Sequence, residues 1–178
     1  MQIKNMTMTA MMVCMMIICS WLTVPTPIPF TMQTFAVFCC LLLLDGKSAL
    51  AVMLLYFLLG CVGLPVFSGF HGGIGYILGP TGGYIIGFVF IAFLYFIFET
   101  LFPGKIKLRL PALACGLIIC YFFGTVWYIA VYGMSGTNYS VGTVILLCVI
   151  PYVIPDLIKL ALAWCISGRI RTALHLSK

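Results

Sequence analysis

Long apolar runs, separated by short polar, proline-rich or glycine-rich segments, make up almost the whole chain. A helix that crosses a bilayer takes about 20 residues, with a range of about 17 to 25. The runs predict six such helices, of which the second and third are short: residues 6–24, about 30–44, about 49–64, 84 to about 102, about 112–132, and a helix within 141–167. We therefore predict an all-α integral membrane protein with a single six-helix domain over residues 1–178.

The last apolar run is too long for one uninterrupted span and contains Pro151 and Pro155. Proline lacks the backbone amide that a helix interior requires. The pattern therefore predicts a helix that begins, or restarts, at Pro155.

Composition agrees with a membrane location. The chain is 64% hydrophobic and 7% charged, whereas soluble domains contain about 25% charged residues. No soluble domain is predicted, and the lipid bilayer is the expected surrounding.

Basic residues fall on one side of the predicted bundle. If the N-terminus is cytoplasmic, eight of the nine Lys and Arg residues lie in inside segments, and the outer segments 25–33, 65–83 and 133–141 contain none. Cytoplasmic loops are enriched in Lys and Arg, so both termini are predicted to be cytoplasmic in a multi-pass protein of the cell membrane. Topology then explains the net charge of +6, and no nucleic-acid partner is predicted.

A glycine-rich segment, residues 61–84, contains eight of the 18 glycines and joins the third and fourth helices on the predicted outer face. Irregular backbone near membrane depth is tolerated where it is packed inside protein or lines a cavity, because unsatisfied amides in lipid are costly. We predict that this segment forms a wall of a ligand pocket.

Asp156 and Lys159 lie inside the last apolar run. Charged residues at this depth are costly and usually face the bundle interior, where they serve function. Their i, i+3 spacing places both on one helix face, in the outer half of the membrane. A helix start at Pro155 would add free amides there, which predicts a polar ligand with a hydrogen-bond donor and an anionic end. The alternative is that the two side chains only neutralise each other.

Other motifs in the sequence give little support for a metal site, a nucleotide site or catalysis. The nine cysteines lie mostly in apolar runs without metal-ligand spacing, so no metal site is predicted. Gly46-Lys47-Ser48 lacks the upstream glycine of a phosphate-binding loop. An intramembrane enzyme with His71 as its base and a purely structural subunit are the two alternatives from other classes; no catalytic residue is predicted.

Four blocks carry a family resemblance: Ile28-Pro-Phe-Thr-Met-Gln-Thr34, Gly63-Leu-Pro-Val-Phe-Ser-Gly-Phe-His-Gly-Gly73, Gly79-Pro-Thr-Gly-Gly-Tyr84 and Pro155-Asp-Leu-Ile-Lys159. With these blocks the chain resembles the BioY family, the biotin-specific substrate-binding (S) component of energy-coupling-factor (ECF) vitamin transporters. The resemblance implies six helices and an outward-facing biotin pocket. The family usually has Gly where Pro155 stands.

The resemblance also implies roles for residues. Asp156 would accept a hydrogen bond from the biotin ureido ring, and Lys159 would meet an acceptor or the carboxylate. Glycines would let backbone approach the ligand, aromatic rings would pack on its bicycle, and the loop with Thr31 and Gln33 would act as a lid. The further substrate-binding residues implied are Gly72, Gly73, Thr81, Gly82, Gly83, Tyr84, Phe67 and Phe70.

Partners follow from the same resemblance. A membrane-embedded T subunit and a pair of cytoplasmic ATPase subunits would supply the energy, and no cofactor is implied. In the family, small residues on helix one take part in docking the T subunit, and Ala10 and Cys14 are the nearest match here. A solitary biotin permease that acts without ATPases is the related alternative.

Overall fold

The computed structural model describes residues 3–26, 28–105, 108–134 and 140–173. Within these ranges the chain is helical apart from one small hairpin and short connections, so the all-α prediction is confirmed. The elements in order are α1 (Ile3–Trp21), β1 (Thr23–Val24), β2 (Phe30–Thr31), α2 (Gln33–Leu43), α3 (Gly46–Cys61), a 3₁₀ turn (Ser68–Phe70), α4 (Ile74–Ile77), α5 (Gly82–Leu101), α6 (Arg109–Met134), α7 (Val141–Cys148) and α8 (Ile150–Ala173).

A hairpin between the first two helices changes their predicted bounds: α1 keeps the predicted length of 19 residues but is shifted toward the N-terminus, and α2 is shorter than predicted. Strands β1 and β2 are antiparallel, with Thr23 opposite Thr31 and Val24 opposite Phe30. This pairing ends α1 at Trp21 and delays α2 to Gln33. Parts of the predicted 105–109 linker, 133–141 loop and 168–178 tail lie outside the described residues.

The predicted helix start at Pro155 is wrong. Helix α7 ends at Cys148, Val149 leaves the helix with φ −121° and ψ −59°, and α8 begins at Ile150 with Pro155 inside it. Pro151 lies in the first turn of α8, where a missing amide costs nothing. The free amides expected at Pro155 are therefore part of a continuing helix, and they do not support anion binding there.

Helices differ in whether their length suffices to cross a membrane. Three apolar helical segments are long enough by length and composition: Gly82–Leu101, Arg109–Met134 and the α7–α8 stretch Val141–Ala173. The apolar parts of the other three are shorter: Asn5–Trp21, Gln33–Leu43 and Gly46–Cys61. Helix α2 packs against α1, α3 and α8, and its side chains from Ala36 to Leu42 are almost fully buried. A helix that protein surrounds needs no full membrane length.

Small residues bring α5 and α6 close together. A Cβ atom at Gly87 would lie 2.5 Å from Cys120 Sγ, and one at Gly124 would lie 2.4 Å from the Tyr84 ring. Gly116 is packed against Ile91 in the same way. Close backbone approach through small residues is a common way for membrane helices to associate, and here it fixes Tyr84 and Cys120 relative to each other.

One end of the bundle, here called the basic end, contains Lys47, Lys105, Arg109, Arg169 and Arg171. Its turn between α2 and α3 is a helix cap, since Asp45 accepts hydrogen bonds from the Ser48 amide (3.2 Å) and hydroxyl (2.9 Å).

Glu99, near the end of α5, ties together the ends of three helices. It accepts from the Gly46 amide at the start of α3 and from Arg109 Nη2 (3.4 Å) at the start of α6. A carboxylate at a helix N-terminus is favoured by the helix dipole. The Asp45-Gly46-Lys47-Ser48 segment is thus accounted for by helix starts.

Candidate functional site

A cavity of about 640 Å³, here called the site cavity, lies between the β1–β2 hairpin and helices α5 to α8. This volume includes space that is open to solvent. Its lining residues are Ile28, Pro29, Thr31, Gln33, Thr34, Ser68, Tyr76, Thr81, Tyr84, Ile85, Phe88, Leu117, Cys120, Tyr121, Cys148, Tyr152, Asp156 and Lys159. The wall is mainly apolar and aromatic, with a few polar groups, as is usual for small-molecule binding sites.

Asp156 and Lys159, on α8, form a buried ion pair in this wall. Lys159 Nζ lies 2.9 Å from Asp156 Oδ1, and the two residues are 3% and 5% exposed. Thr34 donates to the same carboxylate oxygen at 2.8 Å, and Tyr121 donates to Oδ2 at 2.6 Å. Three donors from three helices therefore fix the orientation of the carboxylate.

The hydrogen-bonding capacity of the two charged groups differs. Lys159 uses all three protons, on Asp156, on Thr34 Oγ1 (3.0 Å) and on the Thr31 carbonyl (2.7 Å), and its ammonium lies 4.1 Å from the centre of the Phe30 ring. A carboxylate offers about four lone-pair positions, of which Asp156 uses three. Asp156 can accept one more hydrogen bond, whereas Lys159 must exchange a partner to bind a ligand.

The hairpin covers the site cavity and is held by Tyr152 of α8. The Tyr152 hydroxyl donates to the Ile28 carbonyl and lies 3.0 Å from Thr26 Oγ1, and its ring packs 6.2 Å from that of Phe30. Together with the Lys159 bond to Thr31, these contacts join Thr26 and residues 28–31 to α8. The predicted lid loop therefore lies over the cavity.

Gln33 is buried and belongs to a hydrogen-bonded chain at the edge of the cavity. Its Nε2 donates to Tyr56 Oη at 2.9 Å, and Tyr56 donates to the Val66 carbonyl at 2.9 Å. Ser20 donates to the same carbonyl at 2.6 Å. This chain ties the start of α2 to α3 and to the glycine-rich segment.

Tyr84 presents a polar group that the protein leaves unpaired. It lines the cavity and is 8% exposed, and its hydroxyl makes no hydrogen bond of ordinary geometry to any described residue, although Thr125 lies beside it. A buried hydroxyl without a partner is costly. Contact of this hydroxyl with a polar ligand is a prediction.

The structure brings together six of the twelve predicted site residues. Those that line the site cavity are Thr31, Gln33, Thr81, Tyr84, Asp156 and Lys159. The other six predicted residues, Gly72, Gly73, Gly82, Gly83, Phe67 and Phe70, do not line it. Direct contact of these six with a ligand stays a prediction.

Close packing within the protein explains three of the four predicted glycines. A Cβ atom would lie 2.0 Å from the Leu64 carbonyl oxygen at Gly72, 1.6 Å from the Ile77 carbonyl oxygen at Gly82 and 2.3 Å from Trp127 Cβ at Gly83. At Gly73 the reason is conformational, since its φ of +94° strains other residues. Gly82 and Gly83 therefore allow close packing at the start of α5, between Thr81 and Tyr84.

The two predicted phenylalanines lie in different surroundings. Phe67 is fully buried between Tyr56 and Tyr76, with ring centres 5.5 Å from each. Phe70 is 63% exposed and packs on Trp21 at 4.8 Å. Tyr76, and not the predicted Phe67, lines the site cavity.

Several lining residues were not predicted. Thr34 ends the first family block and Tyr152 precedes Asp156 by one helical turn, so block membership and i, i+4 spacing were available signals. Tyr121 and Cys120 lie in a continuous apolar run with no distinguishing pattern. Only the packing of α6 against α5 and α7 brings them to the cavity.

His71 does not line the site cavity but packs against two residues that do. Its Nδ1 is 2.9 Å from the Ser68 carbonyl oxygen, and its ring stacks on Tyr76 at 5.1 Å. Within the described ranges, no group of three His, Cys, Asp or Glu side chains could hold a metal ion.

Comparisons with known proteins agree on one family. A sequence profile described as the BioY family matches residues 1–176. A probable biotin transporter BioY of Pyrococcus horikoshii is 37% identical over 145 residues, which cover 82% of this chain and 82% of the relative. The biotin transporter BioY of Thermotoga maritima is 33% identical over 158 residues, which cover 88% of this chain and 89% of the relative.

A solved structure has the same fold. The crystal structure at 2.1 Å of the S-component for biotin from an ECF-type ABC transporter matches with a TM-score of 0.84 and 26% sequence identity, over 96% of this chain and 92% of that chain. The sequence matches cover most of each protein, and the structural match extends to the helices around the site cavity. The chain therefore belongs to the BioY family.

Proposed function

We propose that this protein takes up biotin as the substrate-binding S subunit of an ECF-type transporter in the cell membrane. The observation that carries the proposal is the buried Asp156–Lys159 pair in the wall of the site cavity. The protein is a multi-pass membrane transporter subunit and not an enzyme.

The site cavity suits the chemistry of biotin. The ureido ring has two N–H donors and a carbonyl acceptor, and Asp156 has one acceptor position left for such a donor. The apolar side chains of Ile85, Phe88 and Leu117 line the same cavity and would contact the bicycle. The Tyr84 hydroxyl would pair with a polar group of the ligand.

Carboxylate recognition is assigned to Lys159. Arg109 and Arg171, the described arginines other than exposed Arg169, line a different cavity at the basic end. Lys159 would release the Thr31 carbonyl or Thr34 to bind an acceptor of the ligand. Biotin binding with release of Thr31 would then remove a contact that holds the hairpin to α8.

Six membrane spans over one domain, residues 1–178, are part of the proposal. They are α1, α2, α3, α5, α6 and the α7–α8 stretch, with α2 enclosed by other helices. Because Lys and Arg mark cytoplasmic segments, the basic end is placed in the cytoplasm and the hairpin and glycine-rich segment outside.

A membrane-embedded T subunit and a pair of ATPases are the proposed energising partners. Ala10 and Cys14 are exposed on α1, together with Met11 and Ile18, so this face is free for a T subunit. Co-purification of an ATPase pair would support an energised complex. Biotin uptake by cells that lack those subunits would favour the solitary permease.

Titration of radiolabelled biotin onto detergent-purified protein tests the proposal. Saturable binding of biotin, with no binding of thiamine or riboflavin, is expected. Absence of biotin binding by protein that elutes as a folded species in gel filtration would contradict the proposed substrate.

A further inference from the structure

A second cavity lies at the basic end, far along α8 from the Asp156–Lys159 pair. This basic-end cavity has a volume of about 400 Å³ and is lined by Leu42, Arg109, Trp164, Ser167, Gly168 and Arg171. It lies between the end of α2, the start of α6 and the last turns of α8. Two of its lining residues are cations, and none is acidic.

Arg109 and Ser167 present polar atoms there that the described protein leaves unpaired. Arg109 is 8% exposed, and its Nη1 has no hydrogen-bond partner among the described residues. Ser167 is 2% exposed, and its hydroxyl likewise has none. The Cys39 thiol interacts with Ser167, but sulfur is a weak hydrogen-bonding atom. Buried donors without partners are costly.

The described side chains at the basic end carry more positive than negative charge. The chain has three acidic side chains, and all three lie in the described ranges. Asp156 is paired with Lys159 and Asp45 caps α3, while Glu99 is shared by Arg109 and the Gly46 amide. Glu99 also attracts Arg171, but among the described residues half-buried Arg171 forms no ion pair with an acidic side chain, so its guanidinium is open to an anion from outside the chain.

We propose that the basic-end cavity binds a phosphate group, presented by an anionic phospholipid headgroup. Arg171 and the free Nη1 of Arg109 supply charge-assisted donors, and the Ser167 hydroxyl supplies a third. Basic pockets between helices on the cytoplasmic side suit lipid headgroups, and Trp164 is of the residue type that prefers the membrane interface. Exposed Leu162 and Ile166 on α8 would lie beside the acyl chains.

The chain offers two informative variants and a matched control. Arg171→Gln removes one cation from the cavity, and Ser167→Ala removes a donor without changing charge. Arg169→Gln removes the same charge from the same end of α8, at an exposed position outside the cavity. All three leave the Asp156–Lys159 pair intact, so unchanged biotin binding verifies folding.

Native mass spectrometry of the detergent-purified protein with equal amounts of phosphatidylglycerol and phosphatidylcholine measures headgroup binding. We expect saturable preference for phosphatidylglycerol, weakened about tenfold by Arg171→Gln and two- to tenfold by Ser167→Ala, with a smaller effect of Arg169→Gln. Displacement of the lipid by inorganic phosphate would uphold the phosphate site and assign it to a soluble source. Equal weakening by Arg169→Gln and Arg171→Gln, or no preference for phosphatidylglycerol, would overturn the proposal.

Discussion

Asp156 is the residue on which the proposed biotin contact depends most directly. It holds Lys159, Thr34 and Tyr121 and keeps one acceptor position. We predict that Asp156→Asn weakens biotin binding by about tenfold to a hundredfold while the protein stays folded, because a hydrogen bond to a charged group contributes about 1.5–3 kcal/mol. Equilibrium binding of radiolabelled biotin measures this.

Asp45→Asn is the matched control, since it makes the same chemical change at a helix cap that asparagine also fills well. Its affinity for biotin should equal that of the unaltered protein. If Asp156→Asn also bound biotin normally, the ion pair would serve the fold alone.

The unpaired hydroxyl of Tyr84 gives a second prediction at this scale. Tyr84→Phe should leave the melting temperature unchanged or raise it, since a buried hydroxyl without a partner is removed. Biotin affinity should fall about two- to tenfold if that hydroxyl meets the ligand. Tyr95→Phe is the control, because Tyr95 lies on the same helix with an equally unpaired hydroxyl away from the site cavity. Equal effects of the two variants on affinity would contradict the assigned role.

The sequence allowed a site residue to be predicted where its type is rare among the neighbouring residues of the chain. Asp156 and Lys159 stand out because charged side chains are expensive within an apolar run. Tyr121 does not stand out, because an aromatic hydroxyl is ordinary among apolar residues. The sequence also does not show which aromatic residue of the glycine-rich segment faces the site cavity. Phe67 and Phe70 were predicted, but packing against α3 and α5 places Tyr76 there.

At the scale of elements, the turn before α5 illustrates what a glycine does here. A Cβ atom at Gly82 would lie 1.6 Å from the Ile77 carbonyl oxygen. We predict that Gly82→Ala costs about 1–3 kcal/mol of stability or more, as overpacking does, and weakens biotin binding because Thr81 and Tyr84 must shift. Thermal unfolding and biotin titration measure the two effects.

Gly75→Ala is the companion variant, since a Cβ atom there meets no atom within 4 Å. Alanine is also the better helix former, so stability should be kept or improved. A similar loss of stability in both variants would show that the turn is not closely packed at Gly82.

Element boundaries show where sequence reasoning fails. Apolar runs located the helices because burial in lipid or protein requires them. The hairpin was missed because two-residue strands rest on hydrogen bonds to each other, and such short strands have no periodicity of their own. The restart of the last helix was misplaced because either proline could end a helix, and only the backbone at Val149 decides between them.

For the whole molecule, the proposed topology predicts which surfaces can be reached from outside the cell. In a cysteine-free background, Val62→Cys on the glycine-rich side should react with a membrane-impermeant maleimide added to intact cells. Lys105→Cys at the basic end should react only after permeabilisation. Both positions are exposed, so access and not burial decides the result; the reverse labelling pattern would refute the orientation.

Glu99 connects the three helix ends at the basic end in a definite order along the chain. Gly46 precedes it by 53 residues and Arg109 follows by 10. During synthesis the amide partner is already made when Glu99 emerges, and the guanidinium follows after one short connection. All three partners precede the helix that contains Asp156 and Lys159 in the order of synthesis, so once Arg109 has left the ribosome, Glu99 can hold the ends of α3 and α5 against the start of α6.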